Sequence, residues 1–245
     1  MGTKANQAFD IMPMTFVLPK EYVAFLEVFS EAEMVEGKFN YWIMKPCAKS
    51  RGRGISLIND ISAVHYAEPI ILQRYLKNPL LLNGFKFDLR IYVLVTSFNP
   101  LEAFLYKEGF ARFSTMPFSL DPSDKNNKYI HLTNSSIQKY NAKSEGAATQ
   151  EEIADQMYGG SKISLSTLRK RLEKKNVDWE GVWEQVREIV VKSLIAGQPE
   201  IPYHPSCFEL FGYDIMIDDD ERCHLIEVNS SPSLARDNLL DDVVK

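Results

Sequence analysis

Asp214, Glu227 and Asn229 lie in two apolar runs near the end of the chain, Cys207-Phe208-Glu209-Leu210-Phe211-Gly212-Tyr213-Asp214-Ile215-Met216-Ile217 and Cys223-His224-Leu225-Ile226-Glu227-Val228-Asn229-Ser230-Ser231-Pro232-Ser233-Leu234. The polar residues between them, Asp218 to Arg222, complete the pattern of an antiparallel hairpin. Alternation along a strand puts Glu227 and Asn229 on one face, and a turn centred near Asp220 sets Asp214 across from Glu227 to within about one residue. Two carboxylates and an amide oxygen then converge on one point. Buried carboxylates without partners are costly, and like charges at close range resist joint ionisation. A hard divalent cation resolves both problems, and an all-oxygen set suits Mg²⁺. The alternative is a half-exposed sheet with both acids in water. Against it, the acids interrupt Tyr-Asp-Ile-Met-Ile and Leu-Ile-Glu-Val-Asn, which have the composition of buried strands.

Cations gather elsewhere in the chain. Lys45 ends the apolar strand Phe39-Asn40-Tyr41-Trp42-Ile43-Met44-Lys45-Pro46, where a half-buried ammonium calls for an anion beside it. Next come Lys49, Arg51, Gly52, Arg53 and Gly54, then the strand Ile55-Ser56-Leu57-Ile58. A basic glycine loop between strands offers amides and cations that can fold over phosphates, or it is a solvated hairpin tip. It is not a P-loop, because the spacing differs and no helix follows. In Phe85-Lys86-Phe87-Asp88-Leu89-Arg90-Ile91-Tyr92-Val93-Leu94-Val95-Thr96, charges alternate with apolar residues, so one face of the strand lines a charged cleft. Arg112, between Ala111 and Phe113, is either held rigid there or stacked on its aromatic neighbours. His131 reads as a hydrogen-bonding residue rather than a catalyst.

These residues need a scaffold. The chain has 245 residues, 45% hydrophobic, enough for a sizeable core in one domain or two intimate lobes. No apolar run matches a membrane span and no leader is evident. Cys47, Cys207 and Cys223 lack metal spacing and suggest a reducing compartment. The net charge of −5 speaks against a nucleic-acid partner. A helix is expected after Pro19, a strand over Pro69-Ile70-Ile71-Leu72-Gln73-Arg74-Tyr75-Leu76, and turns at Asn99-Pro100 and Glu108-Gly109. Residues 139–160 are expected to be mobile. Ser164 caps a helix carrying Leu165, Leu168 and Leu172, and a longer helix runs over 179–196 with its apolar stripe in the core. The tail from Asp237 to Lys245 has helical spacing.

The motifs Trp42-Ile43-Met44-Lys45-Pro46, Arg51-Gly52-Arg53-Gly54-Ile55, Gln73-Arg74-Tyr75, Lys86-Phe87-Asp88-Leu89-Arg90-Ile91-Tyr92, His131-Leu132-Thr133-Asn134 and Glu227-Val228-Asn229-Ser230-Ser231-Pro232-Ser233-Leu234 resemble the tubulin tyrosine ligase-like family. Met-Lys-Pro-Cys and Glu-Gly-Phe-Ala-Arg-Phe are most similar to its glutamate-adding branch. The resemblance implies an α+β, ATP-grasp fold in which two lobes with antiparallel sheets enclose ATP. The lobes would cover about 16–78 and 79–245, the family's N-terminal lobe being absent, so the chain is expected to be part of a larger product. The resemblance assigns Lys45, Arg51 and Gly52 to the phosphates. Gln73, Arg74, Tyr75 and Leu76 would form the adenine hinge, Lys86, Phe87 and Asp88 the nucleoside side, and Thr133 and Asn134 the triphosphate side. Asp214, Glu227 and Asn229 would hold Mg²⁺. Arg112, Ser136, Lys162 and Lys245, with Arg51, would bind substrate, and Lys45, Arg90, Arg112 and Glu227 would act in catalysis.

The implied reaction joins free L-glutamate to a glutamate side chain in the C-terminal tails of tubulin through an acyl phosphate. A glycine- or tyrosine-adding ligase of the same family and a catalytically silent microtubule-binding module are the alternatives. Microtubules and accessory subunits are the partners implied, with no nucleic acid and no membrane. The implied location is the cytoplasm and cytoskeleton, at a cilium or flagellum axoneme or basal body. The sequence departs from the family at Glu221-Arg222-Cys223-His224, where a Lys-Pro-Trp approach is usual, and at Ile163, where tryptophan is usual.

Overall fold

Alternation of apolar and polar residues builds two antiparallel sheets. In the computed structural model the described residues are 8–47, 52–65, 68–141, 161–202, 204, 206–236 and 239–245. The first sheet contains β1 (Thr15–Leu18), β2 (Trp42–Pro46), β3 (Ser56–Ile58) and β4 (Ile70–Arg74), in the order β1-β4-β2-β3. Helix α1 (Tyr22–Glu36) lays Phe25 and Phe29 against Leu18, Trp42, Ile70 and Leu72 to close its core. The second sheet contains β5 (Leu81–Leu82), β6 (Phe85–Phe98), β7 (Leu101–Phe113), β8 (Lys162–Ser164), β9 (Glu209–Ile217) and β10 (Cys223–Asn229). Its order is β10-β9-β6-β7-β8, with β5 paired to β6. The expected α+β class with antiparallel sheets is the one adopted.

The apolar face of β6 (Phe85, Phe87, Leu89, Ile91, Val93, Val95) packs on α4 (Leu165–Glu173) and α5 (Trp179–Gly197). Ser164 caps α4 by accepting from Thr167 N at 3.1 Å, and Asp178 caps α5 by accepting from Gly181 N at 3.1 Å. The α5 stripe is buried as its spacing predicts: Trp179, Val182, Val186, Ile189, Val190 and Leu194. Two short helices, α2 (Lys128–His131) and α3 (Ser135–Asn141), were not foreseen. Helix α3 extends into the start of the 139–160 stretch, of which 142–160 lie outside the described residues. The tail forms α6 (Leu239–Val244), as expected.

Glu108-Gly109 is not a turn. Strand β7 runs through it unbroken, pairing Gly109 with Ile91. A Cβ on Gly109 would stand 2.4 Å from the carbonyl oxygen of Arg90, so only glycine lets the strands close there. Gly109→Ala is expected to destabilise the fold by about 1–3 kcal/mol, because backbone rather than a side-chain tip must yield. Urea unfolding of the two proteins measures this, and equal midpoints would refute it.

Candidate active site between the two sheets

The polar face of β6 looks across a cleft toward the first sheet. The cleft has an empty volume of about 590 Å³, a figure that includes open solvent at its mouth. Lys45, Gln73, Arg74, Tyr75 and Leu76 line it from one side, and Lys86, Asp88, Arg112, Thr133, Asn134, Asp214 and Glu227 from the other. Met216, Ile226, Ile43, Ile55 and Leu132 give it apolar walls.

The charged ladder is set by strand register. Asp88 lies opposite Arg112, Arg90 opposite Asp214, and Arg112 opposite Lys162. Arg112 donates Nε to Asp88 Oδ1 at 2.8 Å and a second N–H to Asp88 Oδ2, and it meets Asp214 Oδ2 at 2.8 Å. Arg90 grips Asp214 in a fork, at 2.5 Å from Nε and 3.0 Å from Nη2. Although 2% exposed, the Asp214 carboxyl is held well below the usual carboxylate range: burial pushes it up, and the two guanidinium groups outweigh burial. Two arginines thus compensate Asp214, where the local pattern pointed to a cation.

Glu227 differs from Asp214. Its pKa is raised by burial, then by the charge of Asp214 and a hydrogen bond shared with it, while Lys45 and Arg112 pull the other way. Glu227 reaches that position through a bulge. Cys223 pairs with Ile217, but after the shift between Leu225 and Glu227 the partner of Glu227 is Asp214. Asn229 Nδ2 donates to Gly212 O at 3.0 Å and to Glu227 Oε1 at 3.4 Å. A Cβ at Gly212 would lie 2.9 Å from Pro232 Cβ and 3.3 Å from Arg90 Cδ, so glycine makes room for the arginine fork. Among the described residues no three His, Cys, Asp or Glu side chains form a metal-holding group. The oxygen donors of Glu227, Asp214 and Asn229 nevertheless fit a hard cation, which would favour ionised Glu227.

Two lysines enter the same cleft. Lys45 Nζ donates to Gln73 Oε1 at 2.8 Å, and burial lowers its pKa against the pull of Glu227 and Asp214. Lys86, 3% exposed, donates to the Tyr75 hydroxyl at 3.0 Å and to His131 O at 2.9 Å. Its pKa is brought down to about 7, chiefly by burial and further by Lys45, with Asp88 opposing. Tyr75 also bonds His131 Nδ1 at 2.9 Å, and burial holds His131 down at about 4. His131 is thus the satisfied, neutral residue expected. Its role as the bridge from Tyr75 to Lys86 has no signature in sequence.

Several expected residues are engaged or turned differently from the expectation. Phe87 faces the opposite side of β6, 1% exposed and packed on Phe113 at 5.3 Å, so the nucleoside assignment of its side chain is corrected: period-two alternation carries it into the core. Asp88 is engaged by Arg112, and the guanidinium of Arg74 turns to Glu36 and Asn40. Gly52 and Gly54 adopt φ of +72° and +75°; a Cβ at Gly52 would meet Asn134 Oδ1 at 3.2 Å, which sets the loop end beside Thr133-Asn134. Arg51 lies outside the described residues. Ser136 is on α3, two residues past Asn134. Lys162 and Lys245 converge on Asp241 at 2.8 and 3.1 Å and stand over the Phe110 ring, one strand beyond Arg112. Asp241, fully buried, was missed, since a lone acid in a polar tail gives no signal.

Arg112 neutralises two buried acids at once, so Arg112→Met is expected to cost about 3–5 kcal/mol by leaving them uncompensated. The lowered folded-state pKa of Asp214 contributes stability that is present above its unfolded value of about 3.9 and lost as pH falls toward the folded one. Acid unfolding of the variant should therefore be shallower below about pH 4. Denaturant titrations from pH 2 to 7 test both, and an unchanged stability at pH 7 would reject the network.

The tubulin-tyrosine ligase family matches residues 1–245. The chain is 42% identical over 238 residues to a probable tubulin polyglutamylase TTLL2 of Homo sapiens, covering 97% of this chain and 39% of that protein. It is 39% identical over 251 residues to tubulin polyglutamylase TTLL5 of Mus musculus, covering 99% and 18%. It is 37% identical over 253 residues to a probable alpha-tubulin polyglutamylase Ttll1 of Tetrahymena thermophila, covering 96% and 57%. The chain therefore spans 18%, 39% or 57% of the length of these relatives. With two antiparallel sheets facing each other over a lysine-and-acid cleft, and with the match extending from the first residue to the last, the chain belongs to the tubulin-tyrosine ligase family.

Proposed function

We propose that this chain is the ligase core of an ATP-dependent protein polyglutamylase acting on acidic tubulin tails. The observation that carries the reading is one cleft lined by half-buried Lys45 of the first sheet and, across it, by buried Lys86 and Asp214 with half-buried Glu227. Lysine ammonium groups together with oxygen donors for a hard cation are the complement of a polyphosphate with its metal. The N–H and C=O of Leu76, on the stretch joining the sheets, make no hydrogen bond among the described residues, so they are open to the edge of a base.

In this reading Lys45, Lys86, Thr133 and Asn134 orient the triphosphate. Bound Mg²⁺, held by Glu227, Asp214 and Asn229, would neutralise charge on the transferring phosphoryl group. The acceptor carboxylate oxygen attacks the γ-phosphorus, ADP leaves, and the donor amine then displaces inorganic phosphate and loses a proton as the amide forms. No protein nucleophile takes part; the chain positions reactants and offsets charge, with Arg90 and Arg112 holding the acid side rigid. Arg112 pairs with Asp88 and Asp214, and Lys162 and Lys245 with Asp241, so it is the names of the relatives that support glutamate as donor. The names of the relatives support tubulin as acceptor. A microtubule substrate agrees with a cytoskeletal location, with the axoneme or basal body and accessory subunits as its finer form. Among the described residues no helix is long and apolar enough to cross a membrane.

Purified chain given ATP, Mg²⁺, microtubules and one amino acid at a time should add glutamate to tubulin tails, read by mass spectrometry. Addition of glycine or tyrosine alone would replace the donor assignment, and tubulin binding without addition would favour the silent module. Glu227→Gln should lower turnover by about 100-fold or more with the fold intact; an unchanged rate removes the metal assignment.

Lys86 gives an independent check. With its pKa near 7 it is partly neutral in the empty protein above that pH, and an adjacent phosphate favours the charged form. Nucleotide binding at pH 8 should therefore take up protons, seen by calorimetry as a heat that varies with buffer ionisation enthalpy. Lys86→Met should remove that variation; its persistence would assign the proton elsewhere.

A further inference from the structure

Glu36 is the last residue of α1, where the helix dipole disfavours an acid, and the last turn of α1 carries no base. What holds it there comes from the connection between the sheets. Glu36 Oε1 accepts from Arg74 Nη2, and Oε2 accepts from Lys77 Nζ at 2.5 Å. Arg74 also donates to Asn40 Oδ1 and lies over the Trp42 ring at 5.2 Å, while Asn40 is buried and fixed by its own bond to Phe29 O at 3.0 Å.

These two cations bracket Tyr75 and Leu76. Tyr75 is anchored at both ends, its N–H to Tyr41 O at 3.1 Å and its hydroxyl to Lys86 and His131. Leu76 lines the cleft, and its N–H and C=O make no hydrogen bond among the described residues. A flexible linker there would lose ordering entropy each time a base docked against it. Tethering Arg74 and Lys77 to the two oxygens of one carboxylate removes that freedom in advance.

We propose that Glu36 is a positioning residue for nucleotide binding: by stapling Arg74 to Lys77 it presets the Leu76 backbone that meets the base. The inference rests on the nucleotide reading of the cleft, yet Glu36 is not itself a lining residue and reaches the cleft only through Arg74. The staple also explains why the Arg74 side chain points away from the site that its sequence position suggests.

The test uses Glu36→Gln, which keeps size and removes charge, with Glu36→Asp as the conservative variant. Affinity for a fluorescent ATP analogue is measured by titration, alongside KM for ATP, KM for the amino acid, and melting temperature. Glu36→Gln is expected to weaken analogue binding by about tenfold, the scale of coupling within one charge network, and to raise the KM for ATP in step. The KM for the amino acid should stay put, and Glu36→Asp should recover part of the loss. Unchanged analogue affinity in a wild type that binds would overturn the staple while leaving the ligase reading intact. An equal rise in both KM values with a large fall in melting temperature would show a general structural role and overturn it as well. Failure of the unaltered chain to bind the analogue would remove the nucleotide reading and the staple with it.

Discussion

Two arginines held against Asp214 are the condition under which this cleft exists. Asp214 lies on a central strand, 2% exposed, where an uncompensated carboxylate would be protonated or would unfold its surroundings. Arg90 and Arg112 come from the two strands that follow it across the sheet, so the alternation Asp88–Arg112–Asp214–Arg90 is a product of pairing register. Gly109 and Gly212 serve the same contact, one letting the strands close behind Arg90 and the other leaving room for its side chain. A rigid, neutral base of this kind lets the neighbouring Glu227 stay poised, its pKa raised where that of Asp214 is lowered.

The second constraint couples the sheets. The chain crosses from β4 to β5 once, and Tyr75 on that crossing reaches Lys86 of the second sheet and His131 of α2. Beyond it, Asn78 O accepts from Asp219 N at 2.9 Å and Leu80 N donates to Ile217 O at 2.8 Å, which ties the connection to the β9–β10 turn that carries the acids. The two sheets are therefore held in one frame, with Lys45 on one wall of the cleft and Lys86, Asp214 and Glu227 on the other.

The helix faces, the hairpin and the charged strand were legible because each depends on local period. Val182, Val186 and Leu194 recur at helical spacing, and Lys86, Asp88 and Arg90 alternate with phenylalanine and leucine. Phe87 shows the limit of motif reading: contiguity with Lys86 and Asp88 suggested a shared site, while strand geometry sends it to the other face. Arg74 shows another limit, since its partner Glu36 lies far off in sequence and is chosen by packing.

What the sequence determined by itself is the longer elements, their amphipathic faces and the donor types available: two acids and an amide near the end, lysines on two strands. These follow from residue chemistry and periodicity, which act over a few positions. What only the tertiary structure decided is which groups neutralise which. The bulge between Leu225 and Glu227 turned Glu227 onto the face of Asp214. The register of β6 with β7 and β9 handed Asp214 its two arginines, a task the local pattern assigned to a cation. Electrostatic energy depends on distance through space, and distance through space is fixed only when the strands have paired.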